Sequence, residues 1–170
     1  MRHSVGILGT YVLCACLGTG AVGAQEERIP PDKIPKAVMD ALLAKFPKAK
    51  IDKCVKEKED NEVIYDIEFK QEGRKCEADI KENGTYLNYE KAIEAKDLPK
   101  AVSAAIERRY PKSTMKEIME ETGVKGTDEK LSAYEVVLET AEKKEVEVRL
   151  SPDGKILEDS GAEKAAAQKP

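Results

Sequence analysis

The stretch Ile34-Pro35-Lys36-Ala37-Val38 returns 64 positions later as Leu98-Pro99-Lys100-Ala101-Val102, and Phe46-Pro47-Lys48 returns at the same interval as Tyr110-Pro111-Lys112. Further along, Tyr65-Asp66-Ile67 matches Tyr134-Glu135-Val136 at an interval of 69. Cys76-Glu77-Ala78-Asp79-Ile80 matches Val146-Glu147-Val148-Arg149-Leu150 at an interval of 70. Order, spacing and residue type agree over a whole module, so the chain carries an internal duplication, which governs every later assignment. The slippage from 64 to 70 puts a few extra residues in the second copy. They fall around Thr122 to Lys130, a Gly-containing polar stretch that reads as a longer hairpin loop.

Each copy opens on helical spacing. Ile34, Ala37, Val38, Ala41, Leu42 and Phe46 recur on one face, as do Leu98, Ala101, Val102, Ala105, Ile106 and Tyr110. Pro35 and Pro99 suit the first helical turn, where a missing N–H costs nothing. Pro47 and Pro111 end the helix, because proline disfavours helical geometry in the residue before it. The rest of each copy alternates with period two. Val63, Tyr65, Ile67 and Phe69 share one strand face, with Glu62, Asp66, Glu68 and Lys70 on the other, and Tyr134, Val136 and Leu138 repeat the scheme. Such alternation marks antiparallel strands with one buried and one solvated face. Turns fall at Gln71-Glu72-Gly73, Asn83-Gly84, Glu142-Lys143-Lys144 and Asp153-Gly154; Asn-Gly and Asp-Gly tolerate the positive φ of tight hairpins.

The predicted fold is therefore α+β, a tandem repeat of two modules, each one helix packed on an antiparallel sheet of about four strands. Strands are predicted near 49–59, 62–70, 74–81 and 85–91, then 113–121, 131–140, 144–151 and 155–159. The domain layout is a signal peptide over 1–24, a linker over 25–32, modules over 33–95 and 96–160, and a disordered tail over 161–170.

The leader reading rests on Arg2 and His3, an uncharged stretch from Val5, and small residues at Val22-Gly23-Ala24, which place cleavage after Ala24. Two alternatives stand beside it, a single membrane anchor and lipidation at Cys16 in Leu13-Cys14-Ala15-Cys16. Exported and soluble, periplasmic or extracellular, is the expectation, with no stable membrane insertion of the mature chain. Removal of the leader leaves 28 basic against 33 acidic residues, a net charge of −5, with both signs interspersed. Phosphate backbones need clustered positive charge, so nucleic acid is not an expected partner.

The order Ile/Leu-Pro-Lys-Ala-Val, amphipathic helix, Phe/Tyr-Pro-Lys, strand, Tyr-x-Ile/Val, hairpin and Asn-Gly or Asp-Gly resembles the PepSY-like family, grouped with the β-lactamase-inhibitor-protein-like fold. The resemblance covers about 34–90 and 98–159. It implies an exported bacterial protein without catalytic residues, related to modules suspected of binding or inhibiting peptidases, in a fold whose namesake inhibits β-lactamases through its sheet surface.

The residues themselves point the same way. Loss of the leader removes His3, the chain's one histidine. Serine and cysteine hydrolases usually recruit His as base, and most catalytic zinc sites use His ligands, so no catalytic residue, cofactor or metal ligand is assigned. Cys54 and Cys76 fall on the first and third strands of a meander, which are not neighbours, and read as small buried hydrophobes; the alternatives are a disulfide between them and, as a smaller remainder, metal or redox chemistry. Tyr86 and Tyr89 differ by an odd number of positions, so a regular strand points them to opposite faces, one packed and one exposed as a partner-binding contact. The expected function is a non-enzymatic binding or inhibitor-like module that contacts a protein or peptide through its sheet surface; the alternative is a small-ligand or ion sensor of the cell envelope.

Overall fold

A computed structural model describes residues 27–59 and 62–162. The predicted leader with its cleavage position, Cys16, and residues 163–170 of the predicted tail lie outside the described residues. Helix α1 spans Lys36–Lys45 and α2 spans Lys100–Arg109, each after a single 3-10 turn, Pro31–Lys33 and Ala95–Asp97. Pro35 and Pro99 sit at the N-cap with extended backbone. Having no side-chain cap to offer, they contribute a carbonyl, which accepts from the N–H of Met39 (3.0 Å) and Ser103 (3.1 Å). The helices close where Phe46 and Tyr110 donate to the carbonyls of Leu42 and Ile106, both at 2.7 Å, immediately before Pro47 and Pro111.

Nine strands follow in chain order, β1 Glu27–Arg28, β2 Lys50–Glu59, β3 Glu62–Gln71, β4 Arg74–Lys81, β5 Tyr86–Ala92, β6 Thr114–Lys125, β7 Asp128–Glu139, β8 Glu145–Leu150 and β9 Ile156–Asp159. All neighbours pair antiparallel in one sheet. The predicted strands recur as β2–β5 and β6–β9, but their separation into two sheets does not hold. Strands β5 and β6 pair from Asn88–Gly123 to Ala92–Met119 and merge the halves. Two separate meanders would each leave an edge of unpaired N–H and C=O groups at this point, and pairing satisfies both. Strand β1, two residues inside the predicted linker, adds to the outer edge of β2.

The extra residues of the second copy do not form a longer loop. They lengthen β6 and β7 to 12 residues each, and the turn closes on Gly126 and Thr127 between the paired Lys125 and Asp128. Gly126 takes a positive φ of 64° there.

The duplication reaches the irregularities. β-Bulges at Asp52 and Lys116, and again at Leu87 and Leu157, recur at matching places in the two halves. The turn glycines Gly84 (φ +86°) and Gly154 (φ +84°) both lie against the first turn of a helix. A Cβ on Gly84 would stand 2.8 Å from the carbonyl oxygen of Ala37, and one on Gly154 2.5 Å from that of Ala101.

Each helix covers its own apolar cluster. Val38, Leu42 and Phe46 pack on Ile67, Phe69, Ala78 and Ile80; Val102 and Ile106 pack on Val136, Leu138, Val148 and Leu150. Tyr89 of the first cluster pairs with Thr122, and Ile118 of the second lies four residues before Thr122 along β6, on the same face. Both helices therefore occupy one face of the continuous sheet. No described helix lies on the other.

Candidate functional site: a carboxylate row on the helix-free face

Strand alternation decides which side chains stand opposite the helices. Cys54, Ile67, Ala78 and Tyr89 line the helix side, so their neighbours point the other way. In register, Glu68 of β3 faces Glu77 of β4, Glu77 faces Glu90 of β5, and Glu90 faces Glu121 of β6. Four glutamates thus run straight across four adjacent strands. A second row carries Asp66 opposite Asp79, and Asp79 opposite Asn88. Across β7, Glu135 lies between Met119 and Arg149.

These groups are not free in water. Among the described residues six polar side chains are buried, and five of them, Glu57, Asp66, Asp79, Glu90 and Glu121, stand on this helix-free face. Like charges directly opposite on neighbouring strands destabilise a sheet, and burial of a carboxylate adds a desolvation penalty.

The cations at the site compensate only its margins. Lys53 bonds Glu68 at 2.7 Å, and Lys75 bridges Glu77 (2.9 Å) and Glu117 (2.5 Å). Arg149 grips Glu121 through two nitrogens at 2.6 and 2.8 Å, and Ser132 donates to the same carboxylate at 2.6 Å. Asn88 donates to Asp79 at 2.9 Å. In the middle, Glu90 is 8% exposed and its Oε2 is enclosed without a hydrogen-bond partner.

The electrostatics follow from that packing. Burial, reinforced by Asp79 and Glu77, pushes Asp66 up to about 8. Burial pushes Asp79 up to about 7 against the opposing hydrogen bond from Asn88. Glu135 is carried up to about 9 by burial and by Glu147 and Glu77. Glu90 rises well above the carboxylate range through burial, with Glu135, Glu77, Glu121 and Asp79 adding to it. The face consequently holds protons at neutral pH that ordinary carboxylates would have released.

No group of three or more His, Cys, Asp or Glu among the described residues is arranged to hold a metal ion. No described helix is long and apolar enough to cross a membrane. The described surface includes an open depression of 490 Å³ between Gly123, Lys130–Ser132 and the Pro152–Asp153 turn, and another of 330 Å³ between Ala92–Ala95 and Met115–Ile118.

The tyrosines behave differently from the expectation. The bulge at Leu87 lets Ile80 pair with Tyr86 and Ala78 with Tyr89, so both rings turn to the helix side rather than to opposite faces. Their centroids are 6.4 Å apart in an edge-on arrangement. The Tyr86 hydroxyl donates to the Ala41 carbonyl at 3.2 Å, and that of Tyr89 to Glu129 at 2.9 Å. Lys45 lies 4.5 Å from the Tyr89 ring centroid and also pairs with Glu129. Neither tyrosine reaches the helix-free face. Cys54 and Cys76 are buried free thiols on β2 and β4, separated by β3.

The carboxylate row was missed by sequence reading, which assigned the acidic positions of β3 to a solvated face. Its signal is the acidic residue at alternate positions of successive strands, Asp66 and Glu68, then Glu77 and Asp79. Only the register turns those into neighbours.

One helix leading into a four-stranded meander, repeated within a single antiparallel sheet, defines a protein of β-lactamase-inhibitor-protein-like fold. The chain belongs to the PepSY-like family, described as "Putative beta-lactamase-inhibitor-like, PepSY-like", whose sequence profile matches residues 21–81 and 63–158. Its structure is similar to a BLIP-like protein from Bacteroides fragilis, at 23% identity, 78% coverage of this chain, 86% of that chain and a TM-score of 0.53. It is also similar to a protein from Bacteroides eggerthii described as "putative periplasmic", at 12% identity, 74% and 87% coverage and a TM-score of 0.58. A DUF2874 family protein from Bacteroides ovatus matches at 14% identity, 75% and 87% coverage and a TM-score of 0.56. No curated protein matches the chain.

Proposed function

We propose that this chain is an exported, non-enzymatic binding module whose helix-free sheet face docks a protein or peptide partner. One observation carries the reading: four glutamates face one another across β3–β6 on a side that no described helix covers. A fold selected for stability alone has no use for that arrangement, since both cross-strand repulsion and desolvation oppose it. Locally unfavourable chemistry kept in an otherwise consistent fold marks a functional surface. The leader-like N-terminus and the likeness to a Bacteroides protein described as periplasmic support export. The tandem halves supply one extended surface rather than two, because β5 and β6 are paired.

The partner's footprint tests this. The protein is mixed with an envelope extract, cross-linked through carboxyl groups, and the attachment sites are mapped. Cross-links at Glu68, Glu77 and Glu135 are expected. Attachment confined to the helix side, at Asp40 or Glu107, would contradict the proposal.

A further inference from the structure

Building on that docking face, we infer that its partner presents a polybasic segment, with one arginine or lysine side chain entering between Glu77, Glu90 and Glu121. Three observations support this. The row is short of cations at its centre: Lys53 and Lys75 serve Glu68, Glu77 and Glu117, Arg149 serves Glu121 and Glu158, and Glu90 Oε2 has no hydrogen-bond partner. An enclosed acceptor without a donor is complemented by an N–H-bearing cation, and a guanidinium can bond two carboxylates at once. The geometry suits a chain segment, because adjacent strands lie about 4.8 Å apart and partner helices present basic residues three and four apart about 5–6 Å from one another. A metal ion fits less well, since no set of carboxyl groups among the described residues is arranged to hold one.

Binding is coupled to protons. The charged groups facing Glu90 are Glu77, Asp79 and Lys75 from β4, Glu121 from β6, Glu135 from β7 and Arg149 from β8. Carboxylates outnumber cations in this set, so the face keeps protons that an entering ammonium or guanidinium displaces. Affinity therefore rises with pH as the protons leave unaided.

The test uses the purified protein and an arginine nonapeptide, titrated calorimetrically at pH 6 and pH 8.5 in two buffers of different ionisation enthalpy. The expected result is binding at least about tenfold tighter at pH 8.5, with net proton release near pH 7. Glu90→Gln and Glu135→Gln should each weaken binding about tenfold and reduce the protons released, while Glu107→Gln on the outer surface of α2 changes neither. Absence of peptide binding would overturn the inference. So would equal affinity at both pH values in wild type and Glu90→Gln, or thermal stabilisation by calcium chloride in place of peptide binding. A mapped partner on the helix-free face whose binding ignores pH and Glu90→Gln would leave the docking face standing and reject the polybasic partner.

Discussion

Glu77 and Glu90 are direct cross-strand partners on β4 and β5, carboxyl facing carboxyl, with Glu121 completing the line on the far side of Glu90. Removing one buried ionisable group from this line should strengthen the sheet. Glu90→Gln keeps the shape, ends the burial of an ionisable group and is expected to stabilise by about 1–2 kcal/mol at pH 8. Thermal unfolding should show a rise in Tm of roughly 2–8 °C at pH 8 and almost none at pH 5, where Glu90 is already protonated.

The same carboxyls set an unusual pH dependence. Asp66 at about 8, Asp79 at about 7 and Glu135 at about 9 all lie above their unfolded values. The folded state thus binds more protons than the unfolded one between about pH 4 and 9, so stability falls as pH rises through that window. Each unit of difference is worth about 1.4 kcal/mol. Below about pH 4 the trend reverses, because Asp159, held low despite its burial by Tyr110 and Arg109, loses its charge. Tm should peak near pH 4 and be at least about 5 °C lower at pH 9. A flat profile, or a maximum near pH 8, would contradict the buried row.

The turn glycines give a matched pair of substitutions with an internal control. Gly84→Ala and Gly154→Ala combine a left-handed backbone with a Cβ pressed onto the carbonyl of Ala37 or Ala101. Each should cost about 2–4 kcal/mol. Gly73→Ala shares the positive φ but meets nothing within 4 Å, so about 1 kcal/mol is expected. Denaturant unfolding distinguishes the two classes.

Cys54 and Cys76 should stay reduced and unreactive. Burial, with Asp66 nearby, pushes the Cys54 thiol up to about 12, and burial raises Cys76 as well. Strand β3 lies between them, placing them about two strand spacings apart, beyond disulfide reach. Mass spectrometry should find both labelled by iodoacetamide only after denaturation, with no 54–76 cross-link.

Much of this frame was legible from the chain. The five-residue repeat at Ile34 and Leu98 located both helices, and the Pro47 and Pro111 stops fixed their ends. Alternation at Tyr65-Ile67-Phe69 and Tyr134-Val136-Leu138 gave the strands and both apolar clusters. Three features escaped because they depend on pairing rather than pattern. The Leu87 bulge shifted Tyr86 onto the face of Tyr89, and one extra residue reverses every odd-even inference beyond it. Joining β5 to β6 satisfied two edges that each copy, read separately, appeared to leave open. The glutamate row required the register of four strands at once, whereas each glutamate on its own looks like ordinary strand-surface charge.

The surface proposed to bind a partner is the helix-free carboxylate face. The most direct measurement compares wild-type protein with a Glu77→Gln/Glu90→Gln/Glu135→Gln variant, matched for folding by circular dichroism, as baits in the same envelope extract, with Glu107→Gln as the control. A stoichiometric partner is expected to be retained by wild type and the control and lost from the triple variant, whose Tm is equal or higher. Equal retention by all three would place the binding surface elsewhere and contradict docking on this face.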